Sequence, residues 1–128
     1  MVEKTTWTGI VPGDLAQGQK TGIQLKKGDL ISVAASGYVK FGPLDIQWAD
    51  PSTYIPPYGP PNDYVGLVAT FGDDKTRYPI GTGVLNWSVP INGELTFLFN
   101  DRNSHKGNTG FFEVTAEKQR KAIVTLMA

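Results

Sequence analysis

The sequence contains no cysteine and only one histidine, His105, among its 128 residues. Without thiols, the chain has no disulfide scaffold, no thiolate metal site and no cysteine nucleophile. A single imidazole also excludes a catalytic zinc site built from several histidines. The surroundings of His105 predict an exposed loop residue rather than a general base.

Net charge and long apolar runs are absent as well. Twelve Lys and Arg residues balance twelve Asp and Glu residues, so no nucleic-acid partner is expected. No apolar run approaches the ~20 residues of a membrane span, so no membrane insertion is expected. The first residues lack the apolar core of a classical signal peptide. We therefore expect a cytoplasmic protein, with release to the extracellular space left open.

Glycine, proline and aromatic residues are abundant instead, with 15 Gly, 9 Pro, 3 Trp, 5 Tyr and 6 Phe. Apolar residues alternate with polar ones, most clearly at Leu95, Phe97 and Phe99, which indicates half-buried strands. The predicted strands are Lys4–Ile10, Thr21–Leu25, Asp29–Ala35, Gly37–Phe41, Tyr64–Phe71, Val84–Val89, Gly93–Asn100 and Phe111–Ala116. Such a series predicts a single all-β domain, either a sandwich or a jelly roll.

The segment Asp50–Asp63 interrupts this pattern because it holds five of the nine prolines. Proline removes backbone donors, so this stretch is neither a central strand nor a helix. It is either a binding loop, a stiff surface crossover or a ligand for a proline-recognising partner. Trp48 precedes it and could stack on a sugar face, although packing beneath the loop is the favoured interpretation. Trp7 and Trp87 lie within strand patterns and are expected in the core.

The densest polar cluster is Asn100–Gly110, between two predicted strands. Asp101, Asn103 and Asn108 offer the oxygen ligands that hard cations prefer. The alternative is a hydrophilic turn rich in Asn and Gly. No Gly-x-Ser-x-Gly elbow is present, and no carboxylate pair stands in the context of a glycosidase. We therefore expect no enzymatic activity.

Several short segments stand along the chain in a characteristic order and spacing. They are Trp7–Gly9, Gly28–Asp29, Gly37–Pro43, Pro79–Trp87, Leu98–Asp101 and Gly107–Val114. Through them the chain resembles the PA-IL type galactophilic bacterial lectins, from Trp7 to Val114. The resemblance implies a small jelly-roll β-sandwich of two antiparallel sheets with one calcium ion at its end. It also implies that galactose places two ring hydroxyls on that ion.

The resemblance further implies which residues hold calcium. The ligands would be the carbonyls of Phe41 and His105 and the side chains of Asp101 and Asn108. The loop is one residue shorter than in the family, so one further oxygen is lost or comes from Thr109 or Asn103.

The implied sugar contacts overlap with this set. Phe41, Asp101, His105 and Asn108 would face the sugar, and Arg102 would offer its backbone N–H. The His and Gln with which the family touches the sugar are missing from the proline-rich loop. There, Tyr54, Tyr58 and Asn62 are the available substitutes.

The resemblance divides the chain into a lectin domain at residues 1–116 and a C-terminal extension at 117–128. The extension is expected to begin as a turn and to continue as an edge strand or an interface strand. A homotetramer that binds galactose-containing glycans is implied. The alternatives are an interaction sandwich that has lost the metal site and, less favoured, a glycoside hydrolase.

Overall fold

The computed structural model describes residues 3–42, 47–53, 65–101 and 104–119. Within these residues every regular element is a β-strand, and no helix that could span a membrane is found among them. The strands are β1 Thr6–Pro12, β2 Gln19–Leu25, β3 Leu30–Lys40, β4 Trp48–Ala49, β5 Leu67–Phe71, β6 Asp74–Pro79, β7 Gly83–Ser88, β8 Gly93–Phe99 and β9 Thr109–Lys118.

The strands form two antiparallel sheets. Sheet A has the order β1-β9-β3, and both β7 and β4 pair with the remaining edge of β3. Sheet B has the order β2-β8-β5-β6. The prediction of an all-β sandwich with two antiparallel sheets is therefore confirmed.

The core lies between the inner faces of the two sheets. Sheet A contributes Ile31, Val33, Phe112 and Val114 among others, and sheet B contributes alternating residues such as Leu95, Phe97 and Phe99. The rings of Trp7 and Trp87 are partly buried against this cluster. Their predicted place in the core agrees with this packing.

One predicted strand boundary is wrong. The sequence predicts separate strands on either side of Ser36, but β3 runs unbroken and pairs with β9 from Ile31–Lys118 to Lys40–Thr109. Gly37 permits this continuity because its φ is +102°, and a Cβ there would stand 2.6 Å from the carbonyl oxygen of Phe111. A glycine that suggests a break in the sequence instead lets two backbones approach closely.

Three further differences from the sequence predictions concern β6, Trp48 and the C-terminal end of β9. Strand β6 was not predicted. Trp48 is 48% exposed rather than packed beneath the loop, because its register with Lys40 turns it to the outer face of sheet A. Strand β9 continues to Lys118, so Glu117 and Lys118 belong to a strand rather than to a turn. Residues 122–128, for which an edge or interface strand is predicted, lie outside the described residues, as do residues 120–121 of the predicted turn.

Candidate functional site

Three chain segments converge at one end of the sandwich: the residues after β3, those after β8 and those before β9. Lys40 pairs with Thr109 in sheet A, which places Phe41 and Asn108 at the same end of that sheet. Sheet B reaches this end through Phe99, whose ring centroid lies 6.2 Å from that of Phe41. The predicted site residues on β3, β8 and β9 are therefore brought together by the fold.

Asn108 is the most constrained polar side chain at this end, with only 6% of it exposed. Its Nδ2 donates to the carbonyl oxygen of Gly13 at 2.9 Å and to Oδ2 of Asp101 at 2.8 Å. Both partners can only accept, so the amide nitrogen must face them and the Oδ1 atom must face the other way. No described residue donates to that oxygen. Asn108 therefore holds a buried, oriented acceptor at the site.

Asp101 is half-buried, and the bond from Asn108 fixes its carboxylate. Its backbone N–H donates to the carbonyl oxygen of Phe99 at 2.9 Å, so the chain turns sharply as it leaves β8. Carboxylate and amide thus lie side by side, seven positions apart in the sequence. Their oxygens are of the kind that calcium prefers.

Phe41 places its ring against the core, and its backbone N–H donates to the carbonyl oxygen of Gln47 at 3.0 Å. The ring is therefore partly buried, and the backbone of this residue is held by a hydrogen bond. Only the carbonyl of this residue is a candidate ligand, as the resemblance implies.

His105 corrects one sequence expectation, because it is buried rather than exposed, at 9%. Its Nε2 lies 2.7 Å from the carbonyl oxygen of Phe99, so this nitrogen carries a hydrogen and donates it. The imidazole also meets the Phe99 ring edge-on at 6.4 Å. With the ring held inward, the group that remains for a ligand is the carbonyl, which also accepts the N–H of Asn108 at 3.2 Å.

Thr109 is exposed and lies in the same cross-strand row as Lys40. The structure brings its side chain into no hydrogen bond with Asp101 or Asn108. Four further candidates lie outside the described residues: Arg102 and Asn103 in the short polar loop, and Tyr54 and Tyr58 in the proline-rich one. Asn62 lies outside them as well.

The donor set fits a hard cation in its chemistry, with one carboxylate, one amide oxygen and backbone carbonyls. In the described part of the chain, no group of three or more His, Cys, Asp or Glu side chains could hold a metal.

Two residues near the site were missed by sequence reasoning. Gly13 accepts the Asn108 amide, and its N–H donates to the carbonyl oxygen of Gly110 at 3.1 Å. Arg77 on β6 donates from Nη1 to Oδ1 of Asn100 at 2.7 Å, next to Asp101. The pairing of β1 with β9 would have indicated Gly13, but strand pairing is not visible in one sequence.

Comparison with known proteins gives a consistent result. The family model described as "PA-IL-like protein" matches residues 6–121. A protein called Lectin A from Photorhabdus laumondii subsp. laumondii is 43% identical over 109 residues, covering 84% of this chain and 88% of that protein. The solved structure of an EclA N-terminal domain, a PllA-like lectin, superposes with a TM-score of 0.75 at 34% identity. It covers 88% of this chain and 96% of its own.

Proposed function

Because the chain belongs to the PA-IL-like protein family, we propose that it is a lectin that binds galactose-class sugars through calcium and catalyses no reaction. The similarity to Lectin A and to a PllA-like lectin supports carbohydrate binding. Support for the metal comes from the arrangement at the end of the sandwich, and the galactose class is what the family resemblance implies.

The observation that carries the proposal is the orientation of Asn108. Burying a polar oxygen without a partner costs about 1–3 kcal/mol, so such an oxygen is expected to have a use. Asn108 directs its oxygen away from Gly13 and Asp101 while its nitrogen holds both. A cation bound beside Asp101 would satisfy it.

The chain's own residues prepare the site in distinct ways. Asp101 supplies the negative charge and Asn108 supplies an oriented oxygen. Phe41 and His105 supply carbonyls, next to a ring that is partly buried against the core in Phe41 and buried in His105. When bound, calcium supplies a strong, adaptable attraction for two neighbouring sugar hydroxyls. Asp101 can also accept a hydrogen bond from one of these hydroxyls, which orients the ring.

Specificity around this centre belongs to the two loops. The backbone N–H of Arg102 would donate to the sugar, and Tyr54 and Tyr58 would provide apolar contact for the C–H face of the ring. These roles replace the His and Gln contacts implied by the family. We therefore expect galactoside binding with a preference that differs from that of relatives.

The test is calcium and galactose titration of Asp101→Ala by calorimetry, with and without chelator. Loss of the carboxylate is expected to abolish calcium binding and, with it, sugar binding. Asp73→Ala in the turn between β5 and β6 is the control and should bind both as the unaltered protein does. Galactoside binding by Asp101→Ala in the presence of chelator would show that the calcium model is wrong.

A second candidate is an interaction domain that kept the sandwich but lost the metal. The short loop favours it, because the side chain of Thr109 lies in the same cross-strand row as Lys40 and makes no hydrogen bond with Asp101 or Asn108. The same calorimetry separates the two. A heat of binding when calcium is added to the unaltered protein supports the lectin. No heat of calcium binding supports the alternative.

The family resemblance also supports a homotetramer, whose several sites would give avidity for clustered glycans. Sedimentation velocity over a range of protein concentrations measures the assembly directly. A single monomeric species at micromolar concentration would contradict this part of the proposal.

A further inference from the structure

The outer face of sheet A carries an unusual amount of exposed apolar surface. Of the seven large hydrophobic side chains that are exposed among the described residues, six lie on this face; they are Ile10, Leu30, Tyr38, Trp48, Leu85 and Phe111. In sheet B, by contrast, the outward positions of β2 and β6 carry mainly charged and amide side chains. The outer face of sheet A is therefore apolar enough to bind another apolar segment.

This face has two shallow hollows at its centre, of about 430 and 450 Å³. They share Ala34 and Thr115, which stand opposite each other on β3 and β9. Small side chains along this row leave room between Ile10 on one side and Leu85 on the other. The shape suits apolar side chains that come from another segment.

The chain itself contains a suitable segment just beyond the described residues. Six of its last seven residues, 122–128, are apolar, and only Thr125 is polar. The preceding strand, β9, lies in the middle of sheet A, and Gln119 still donates to the carbonyl oxygen of Leu30 at 2.8 Å. The segment therefore leaves from the centre of this sheet rather than from its edge.

Length and charge both fit a return across the outer face. If Arg120 and Lys121 form a turn, the seven residues after them span about 23 Å when extended, which is the length of β9 from Lys118 back to Phe111. Glu113 and Glu117 are exposed on the outer side of β9, and neither has an ion-pair partner among the described residues. The two basic residues would meet these two carboxylates.

We propose that residues 122–128 fold back over the outer face of sheet A of the same molecule and fill the hollows around Ala34 and Thr115. Apolar burial drives the contact, and the basic turn aligns it over the acidic side of β9. The segment then covers apolar surface that would otherwise be exposed to water. This inference is independent of the sugar site, which lies at the end of the sheet where β9 begins.

The absence of native cysteine makes disulfide trapping a direct test. Thr115→Cys is combined with Val124→Cys, Thr125→Cys or Leu126→Cys, one pair at a time, in the full-length chain. Under mild oxidation we expect at least one pair to form an intramolecular disulfide, seen as a monomer on a non-reducing gel and as a linked peptide by mass spectrometry. Trapping should leave calcium and galactose titrations unchanged.

Gln24→Cys with the same partners is the matched control, since Gln24 is exposed on the opposite side of the sandwich. Trapping of that pair at an equal rate would overturn the proposal, because the segment would then have no preferred face. A disulfide-linked dimer through Thr115→Cys would also overturn it and would assign the segment to a second copy. No disulfide from any pair would place the segment elsewhere.

Truncation after Gln119 provides a second measurement that does not depend on cysteine geometry. The shortened chain is expected to bind more of a hydrophobic dye than the full chain. Leu85→Ser in the shortened chain should reverse part of this effect. Equal dye binding by full-length and shortened chains would contradict coverage of the face.

Discussion

Asn108 joins three parts of the chain through one amide group. Its nitrogen bridges the turn after β1, at Gly13, and the segment after β8, at Asp101, while its backbone N–H bonds to His105. A side chain that is 94% withdrawn from solvent in this way is both structural and available for a ligand through its remaining oxygen. If calcium binds there as proposed, stability and binding are linked at this residue.

We predict that Asn108→Asp has opposite effects without and with calcium. Without metal, the substitution replaces two donated hydrogen bonds with oxygens facing Gly13 and Asp101, which should lower the free energy of unfolding by about 1–3 kcal/mol. With calcium, the added carboxylate is attracted to the ion, so the stabilisation by metal should be larger than in the unaltered protein. Urea denaturation in chelator and in calcium measures both quantities.

Asn92→Asp is the control for that substitution. Asn92 uses its Oδ1 to accept the N–H of Lys27 at 2.8 Å, and an aspartate keeps that oxygen. The free energy of unfolding of Asn92→Asp should differ little from that of the unaltered protein, both in chelator and in calcium. If Asn108→Asp were as stable as Asn92→Asp in chelator, the assigned orientation of the Asn108 amide would be wrong.

At the scale of residues, the sequence predicts which side chains are candidate ligands better than it predicts which side chains are buried. Asp101 and Asn108 were identifiable because the family resemblance points to particular positions. The burial of His105 was not, since it depends on the carbonyl of Phe99, six positions earlier, turning toward the ring. Gly13 was missed for a similar reason, because its role depends on a residue 95 positions away.

At the scale of elements, the turn after β1 is held by a close approach between Gly13 and β3. A Cβ on Gly13 would stand 2.3 Å from Cγ1 of Val39, and Val39 is fully buried. The valine cannot move away without disturbing the core. The position of the Gly13 carbonyl, and hence of Asn108, is thus set by core packing.

We predict that Gly13→Ala lowers the free energy of unfolding by about 1–3 kcal/mol, as overpacking does, and weakens calcium binding as the carbonyl shifts. Val39→Ala alone should destabilise through a cavity. The double variant should be more stable than the sum of the two changes implies, because the smaller side chain makes room for the new methyl group. Denaturation of the four proteins in a double-mutant cycle measures the coupling.

Additive effects in that cycle would show that the turn accommodates the methyl group by moving away from β3. Calcium titration of the same four proteins separates the two consequences. Recovery of stability with recovery of calcium affinity is expected in the double variant.

The strand with the clearest alternation of buried residues, β8, was predictable, and β6, which shows no such alternation, was missed. In β8, Leu95, Phe97 and Phe99 alternate inward, and the prediction there is confirmed to within one residue. Strand β6 has the sequence Asp-Lys-Thr-Arg-Tyr-Pro at a sheet edge, with mostly exposed positions, so no alternation marks it. Its pairing with β5 comes from the tight turn at Gly72 and Asp73 rather than from its own side chains.

At the scale of the whole molecule, Lys118 ties the beginning of the described chain to its end. Its ammonium group bonds to Glu3 and lies 3.5 Å from Asp29, and its N–H donates to the carbonyl oxygen of Thr5 at 2.7 Å. The hydrogen bond to Glu3 raises the pKa of Lys118 above its usual 10.5, burial opposes this, and the charge of Asp29 adds to it. The lysine is thus charged over a wider pH range in the folded state.

The sign of the resulting pH dependence follows from that raised pKa. The contribution of Lys118 to stability is fully present below pH 10.5 and is lost as pH rises through the folded-state pKa. We predict that Lys118→Met lowers the free energy of unfolding at pH 8 by less than about 1 kcal/mol, as for partly exposed ion pairs. The difference from the unaltered protein should shrink above pH 10.5.

Lys75→Met, an exposed position on β6, controls for the general effect of removing a positive charge. Chemical denaturation from pH 8 to pH 11.5 gives the profiles. A constant difference between Lys118→Met and the unaltered protein across this range would assign the effect to packing of the lysine stem rather than to its charge.

The direction of β1 and β9 has a practical consequence. Gly13 follows the end of β1 and Asn108 precedes the start of β9, both at the candidate site, whereas Thr6 and Glu117 pair at the other end of the sheet. About 30 Å of strand separate the two ends. Anything joined to the chain before Glu3, whether a second domain, a fluorophore or a sensor surface, therefore departs from the far end and leaves the site facing outward. Such attachments can be made without a long spacer.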